Sequence, residues 1–274
     1  MDVARDVLQH YSAGVERDRL TTGMGRLEEL RTWDVLGRWL PPAPAVVLDV
    51  GGGPGHYATP LAAEGYDVHL LDVVPLHVEQ ARRTSEASRR PLASAQVADA
   101  RALPFADTSA DVVLLMGPLY HLVERADRLS ALRESQRVLR PGGIVIVSAV
   151  SRFASALSGF HSGFLRQEDF LSVVAVDLET GTHHNPDNRP GWFTTAYFHH
   201  PAELTEEIAE AGLELDGPVA LEGLGGAAPD IEGLLDDDES RLRVLDVLRR
   251  TEREPSLIGM SSHLMALGRR PSDQ

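Results

Sequence analysis

One stretch limits this chain more than any other: Val46-Val-Leu-Asp-Val-Gly-Gly-Gly-Pro-Gly-His56. Its apolar, β-branched start reads as a buried parallel strand. It breaks into a loop holding Gly51, Gly52, Gly53 and Gly55, and Tyr57–Glu64 then takes on helical character before Gly65, a helix C-cap. Strand, glycine loop and helix open a doubly wound nucleotide-binding fold. The glycines let the backbone turn sharply and approach a ligand with no Cβ in the way.

The glycine spacing separates the possible ligands. A dinucleotide site has G-x-G-x-x-G, with the third glycine packing helix on strand. Here the pattern is Asp49-x-Gly51-x-Gly53-x-Gly55, and His56 stands where the third glycine would be. Asp67-Val-His-Leu-Leu-Asp72 is a second strand ending in a carboxylate, placed to accept hydrogen bonds from ribose hydroxyls. Gln96-Val-Ala-Asp99-Ala100 reads as a third strand with an acid just past its end, and Asp111–Met116 as a fourth. Val138-Leu-Arg-Pro-Gly-Gly143 closes a helix and leads into a fifth, Ile144–Ser148. In order and content these segments resemble the motifs of the class I S-adenosylmethionine (SAM)-dependent methyltransferases, strongly over residues 40–150 and loosely beyond.

That resemblance implies an α/β fold: a Rossmann-like, seven-stranded, doubly wound sheet with its last strand antiparallel, carrying an N-terminal helical lid and an inserted cap. It implies SAM as cofactor. Asp49 would orient the ammonium of the methionine moiety, Gly51, Gly53 and Gly55 would form the loop, Asp72 would take the ribose, and Asp99 with Ala100 would take the adenine.

Composition removes several other chemistries. The chain of 274 residues contains no cysteine, which excludes disulfides, thiolate metal sites and thiol nucleophiles. All 26 basic side chains are arginine, so there is no lysine for a Schiff base or a P-loop. The formal net charge of −15 repels nucleic acid and suits a neutral or cationic small molecule. No apolar run is long enough for a membrane span, and Met1–Leu8 has no signal-peptide pattern, so a cytoplasmic enzyme is expected. Oligomeric state is not legible.

Four regions follow along the chain. Residues 1–40 carry apolar residues at helical spacing, ended by Pro41-Pro-Ala-Pro44; the resemblance implies a helical lid in which Tyr11, Glu16 and Arg19 are candidate lid contacts, Tyr11 with the cofactor. Residues 41–150 form the SAM-binding core. Residues 151–200, too aromatic for a disordered connection, form a substrate cap. Residues 201–274 complete the core with a helix from Pro201, a sixth strand over Leu213–Leu221, a Gly/Pro/Asp-rich mobile stretch over 223–238, a helix around Arg241–Arg250 and a last strand over Ser262–Gly268.

The fourth strand ends in Met116-Gly-Pro-Leu-Tyr120-His121-Leu. It lacks the Asn/Asp-Pro-Pro-Tyr of amino-methylating nucleic acid enzymes and the acid of magnesium-dependent catechol-type enzymes. The reaction is therefore expected to need no metal. The hexapeptide Gly117–Leu122 resembles small-molecule methyltransferases of the ubiquinone/menaquinone-type branch, which puts Met116 against the cofactor and Tyr120 and His121 at the sulfonium end. The pairs His183-His184 and His199-His200 have no metal-ligand spacing, and adjacent residues on a strand face opposite ways. One histidine serves better as a general base, since its ordinary pKa of about 6.5 suits proton removal near neutrality. His199 is the first candidate, ahead of His121 and Tyr120. Asp236-Asp-Asp-Glu239 reads as a helix N-terminus without catalytic use.

The expected function is methyl transfer from SAM to a small molecule. A peptide or protein methyltransferase, or a SAM-binding protein that does not methylate (a cyclase or a scaffold), would carry the same cofactor motifs.

Overall fold

The computed structural model describes residues 23–185, 187 and 189–272; Tyr11, Glu16 and Arg19 lie outside them. The first described element is helix α1 (Gly23–Trp39), which buries Leu27, Val35 and Leu36 on one face. The same face buries Arg31 completely. Its guanidinium is matched by Asp34 and Glu252, which tie α1 to the C-terminal part of the chain.

The core alternates strand and helix: β1 (Val46–Val50), α2 (Ala58–Glu64), β2 (Asp67–Asp72), α3 (Pro75–Glu86), β3 (Ser94–Val97) and β4 (Ala110–Leu115). The short α4 (Pro118–His121), α5 (Arg125–Val138) and β5 (Leu139–Ser151) follow. Gly65 ends α2 in the left-handed conformation at φ 111°, the cap that its position implied. Strands β1 to β5 are mutually parallel in the order β3-β2-β1-β4-β5. Their apolar runs are buried on both faces by two side-chain clusters, one around Leu115, Leu132 and Val145, the other around Val47, Leu61 and Ile146.

The insertion after β5 holds α6 (Ala154–Ser162), a 3₁₀ turn at Phe164–Arg166, α7 (Glu168–Thr180), β6 (Thr182–His183) and β7 (Ala196–His199). Its aromatics form a small core of their own, with Phe170 packed edge-on to Trp192. Strand β7 pairs with the last two residues of β5, on the side where β4 has already ended.

After α8 (Pro201–Glu210), β8 (Glu214–Ala220) runs antiparallel to β9 (His263–Arg269). Strand β9 lies between β5 and β8 and is antiparallel to both. The seven strands run in the order β3-β2-β1-β4-β5-β9-β8, and the last of them in sequence is antiparallel, as expected. Strand β5 is longer than Ile144–Ser148 because β9 supports it to Val150 and β7 to Ser151.

The stretch 223–238 differs from the expected mobile loop. It contains a 3₁₀ turn (Gly223–Ala227) and α9 (Ile231–Asp236), whose Ile231 and Leu235 pack on Leu27 of α1. Partners distant in sequence supply order that its local composition does not show. Helix α10 (Asp238–Thr251) starts where the Asp237 carboxylate accepts the Ser240 N–H at 2.7 Å, so the acid run caps a helix.

Candidate functional site

The C-terminal ends of the parallel strands open onto a cavity of about 780 Å³. Its lining follows the sheet edge: Asp99 and Ala100 beyond β3, Asp72 at the end of β2, Asp49 and the glycine loop at β1, Met116 to His121 beyond β4, Ser148 on β5 and His263 on β9. Brought together in one wall are Asp49, Gly51, Gly53, Gly55, Asp72, Asp99, Ala100, Met116, Tyr120 and His121. A volume of this size suits a cofactor together with a small acceptor.

The loop is built for close approach. Gly51, Gly53 and Gly55 have φ of 74°, 55° and 93°, where a side chain is strained. A Cβ on Gly51 would stand 2.4 Å from the Pro118 ring, and one on Gly52 would stand 2.5 Å from Asp49 Oδ2. Among the described residues nothing lies within 4 Å of a Cβ placed on Gly53.

Asp49 is 1% exposed, and its Oδ2 has no hydrogen-bond partner among the described residues. Burial and then the negative charge of Asp72 push its pKa up to about 7. A buried carboxylate in that condition fits a cationic group, which would pair the orphan oxygen and favour the ionised form.

Asp72 accepts the Gly53 N–H at 2.9 Å on Oδ2 and the Val74 N–H at 2.8 Å on Oδ1. Backbone donors hold its orientation, and each carboxylate oxygen retains capacity for a second donor. The Asp99 carboxylate is gripped by Arg101, through Nη2 at 2.7 Å and Nε at 3.0 Å. That grip keeps the Asp99 pKa below its ordinary value. Arg101 also reaches Asp127, so the acid expected to take the adenine is held from one side by a charge that the sequence pattern did not reveal.

His199 does not reach the cavity. It is fully buried on β7, with Nε2 3.3 Å from Glu207 Oε2. Burial first of all lowers its pKa. Glu207 faces Arg128 as well, and Arg128 lies 3.6 Å over the Tyr197 ring. His199 therefore belongs to a buried structural network, which corrects its place as first candidate base. His183 is also buried, with Nδ1 2.8 Å from Asp177, while His184 is exposed, as strand alternation requires. Ser155 completes a Ser–Asp–His group there. The serine donates to the carboxylate at 2.5 Å, His183 Nδ1 lies 2.8 Å from that same oxygen and 3.4 Å from the hydroxyl, and Nε2 faces the Phe193 carbonyl, so the three groups do not stand in the serine–histidine–carboxylate order of a relay.

Tyr120 and His121 sit beyond β4. The His121 ring stacks on Phe193 at 6.0 Å, with its Nδ1 3.4 Å from the Thr195 carbonyl oxygen. None of the described residues of 151–200 lines the cavity; the insertion backs the rim through Phe193 and Thr195.

The sequence reading missed His263, Glu28 and Glu222. His263 lines the cavity and its Nδ1 lies 2.5 Å from Glu222 Oε1. Glu28 Oε2 is 3.6 Å from the same nitrogen. The donor atoms of these three lie within 4.8 Å of one another, a spacing that a cation could bridge. Glu222, however, is already bonded to the Ser261 hydroxyl, the His263 N–H and the His263 ring. One signal was available. A reversed last strand beside β5 brings its first residue to the edge where the parallel strands end.

Residues 47–143 match the family model described as a methyltransferase domain. A demethylmenaquinone methyltransferase of Beutenbergia cavernae is 35% identical over 147 residues, 53% of this chain and 55% of that protein. A ubiquinone biosynthesis O-methyltransferase of Xanthomonas axonopodis pv. citri is 31% identical over 188 residues, 65% of this chain and 66% of that one. The matches thus span 55% to 66% of those relatives' length. Among solved structures, a SAM-dependent methyltransferase of Methanosarcina mazei superposes with a TM-score of 0.59 at 17% identity, covering 87% of this chain and 98% of its own.

Proposed function

The chain belongs to the class I SAM-dependent methyltransferases, and from that premise we propose that it transfers a methyl group from SAM to a small-molecule acceptor, without a metal ion, and releases S-adenosylhomocysteine. The observation that carries this reading is the single cavity along the sheet edge, with cofactor-type groups from β3 to β1 and proton-handling side chains beyond β4.

Asp72 would hold the ribose hydroxyls, the Ala100 segment the adenine, and Asp49 the ammonium of the methionine moiety. The orphan oxygen of Asp49 is what supports that last placement. When bound, SAM supplies an electrophilic methyl group on a sulfonium. The protein's part is to align the acceptor with that methyl and keep water out, which by proximity alone lowers the barrier substantially. Tyr120 and His121, on the far side of Met116, would form the acceptor wall.

A small acceptor is favoured over nucleic acid by the charge of −15. No described helix is long and apolar enough to cross a membrane. The test is calorimetric titration with SAM and S-adenosylhomocysteine, followed by transfer of labelled methyl to small molecules. Failure to bind SAM would sink the proposal. Binding without transfer to any acceptor would leave a SAM-binding protein of another kind.

A further inference from the structure

We propose that His263 takes the proton from the methyl acceptor and that Glu222 is the residue that positions it; this rests on the methyl-transfer reading above. The topology sets the place. Strand β9 is antiparallel to β5, and His263 pairs with Val150, so the first residue of β9 stands beside the C-terminal end of β5. The cofactor-type groups occupy the cavity from β3 to β1, and His263 lines it beyond β4, on the acceptor side.

The second observation is how the ring is held. Nδ1 faces Glu222 Oε1 at 2.5 Å, while the His263 backbone N–H donates to Glu222 Oε2 at 3.0 Å. Glu222 is itself fixed, since Ser261 Oγ donates to Oε2 at 2.6 Å. Ser261 Oγ in turn accepts the Glu222 and Gly223 N–H groups, at 3.0 and 3.1 Å. A carboxylate on Nδ1 selects the tautomer protonated there, which makes Nε2 the basic atom. It also stabilises the imidazolium once Nε2 is protonated. Among the described residues, the charged groups facing the ring are Glu222 and Glu28, both acidic.

The step moves one proton. The acceptor O–H bond breaks, its electron pair stays on oxygen as the nucleophile, and the proton forms a bond to His263 Nε2. It later leaves to solvent. The acceptor class is therefore a hydroxyl that arrives protonated, such as a phenol or enol. A carboxylic acid, already ionised at neutral pH, needs no base.

The test uses the whole protein with ¹⁵N-labelled histidine, and His263 identified by the signal lost in His263→Gln. Its neutral form should carry the proton on Nδ1, and its titration midpoint should fall in Glu222→Gln. A neutral form protonated on Nε2, or an unmoved midpoint, overturns the positioning. Broadening of this signal by micromolar Mn²⁺ would make the cluster a cation site and also overturn it. The second arm measures labelled methyl transfer from SAM to a panel of phenols and carboxylic acids. His263→Gln should lower kcat with phenols by about 10²-fold or more and abolish the acid limb of their pH profile, a loss well beyond any it causes with carboxylic acids. Equal rates with phenols overturn the assignment. A wild type that binds SAM and methylates neither class overturns the catalytic half of this proposal, while transfer to other small molecules still decides the methyl-transfer reading and the imidazole signal still decides whether Glu222 positions the ring.

Discussion

The Asp72 carboxylate accepts the backbone N–H of Gly53 at 2.9 Å, tying the end of the second strand to the middle of the glycine loop after the first. One side chain therefore shapes the loop and, in the proposed reading, also holds the ribose. A substitution there acts on two things at once, and the conservative variant separates them.

Asp72→Ala should weaken SAM and S-adenosylhomocysteine alike, since both keep the ribose. Loss of a charge-assisted hydrogen bond costs about 1.5–3 kcal/mol, or roughly tenfold to over a hundredfold in affinity. Asp72→Asn keeps an oxygen for Gly53 and should lose less. Titration calorimetry reads both, and an effect on one ligand alone would contradict the ribose role.

Gly53→Val should abolish most SAM affinity while the far-UV circular dichroism stays that of the parent. A Cβ there has no described atom within 4 Å on a loop that lines the cavity, so the added bulk competes with a ligand, and the φ of 55° adds about 1–2 kcal/mol of backbone strain. Unchanged affinity would remove the glycine loop from the cofactor site.

Asp49, with its pKa pushed up to about 7, should make cofactor binding pH-dependent. A cationic ligand favours the ionised carboxylate, so SAM affinity should rise as pH climbs from 6 to 8, with proton release near pH 7. Calorimetry in two buffers of different ionisation heat measures that release. The same raised pKa means that the ligand-free fold gains from a neutral Asp49 and loses that gain as pH rises from about 4 to 7. Asp49→Asn should flatten this fall in Tm and cost SAM affinity; a Tm profile identical to the parent would refute the buried charge.

His199→Gln should lower stability and leave kcat nearly unchanged. Burial lowers the His199 pKa, so its contribution is complete above the ordinary value of 6.5 and is lost as pH falls below it. Burial works to raise the Glu207 pKa, but His199 and Arg128 overcome it and hold the carboxylate at about 2, so a second loss should follow between pH 4.5 and 2. Thermal melts across pH should show both stages in the parent and only the lower one in the variant. A hundredfold drop in kcat with unchanged Tm would restore His199 to catalysis.

EDTA should leave methyl transfer intact. The end of β4 offers Met116 and Gly117 where a metal-dependent relative would offer an acid, and Glu222 is committed to Ser261 and His263. Activity that collapses with chelator and returns with magnesium would refute this.

Much of this protein is legible in its chain because the information is local. Val46–Val50, the glycines after it and Asp72 declare strand, turn and acid within a few residues, and the order of five such segments specifies the sheet. What the sequence could not show depends on pairs far apart. His199 looked available because a histidine after an aromatic strand reads the same whether it faces a cavity or a core; only Glu207 and Arg128, brought in by α8 and α5, decide that it is buried. Residues 223–238 looked mobile because the Leu27 side chain that orders them lies about 200 residues away. His263 looked like an ordinary strand residue until the reversal of β9 carried it to the cavity and Glu222, 41 residues earlier, met its ring. Backbone conformation and strand-end chemistry are properties of neighbours along the chain, whereas burial, ion pairing and the direction in which a side chain faces are set by tertiary contacts.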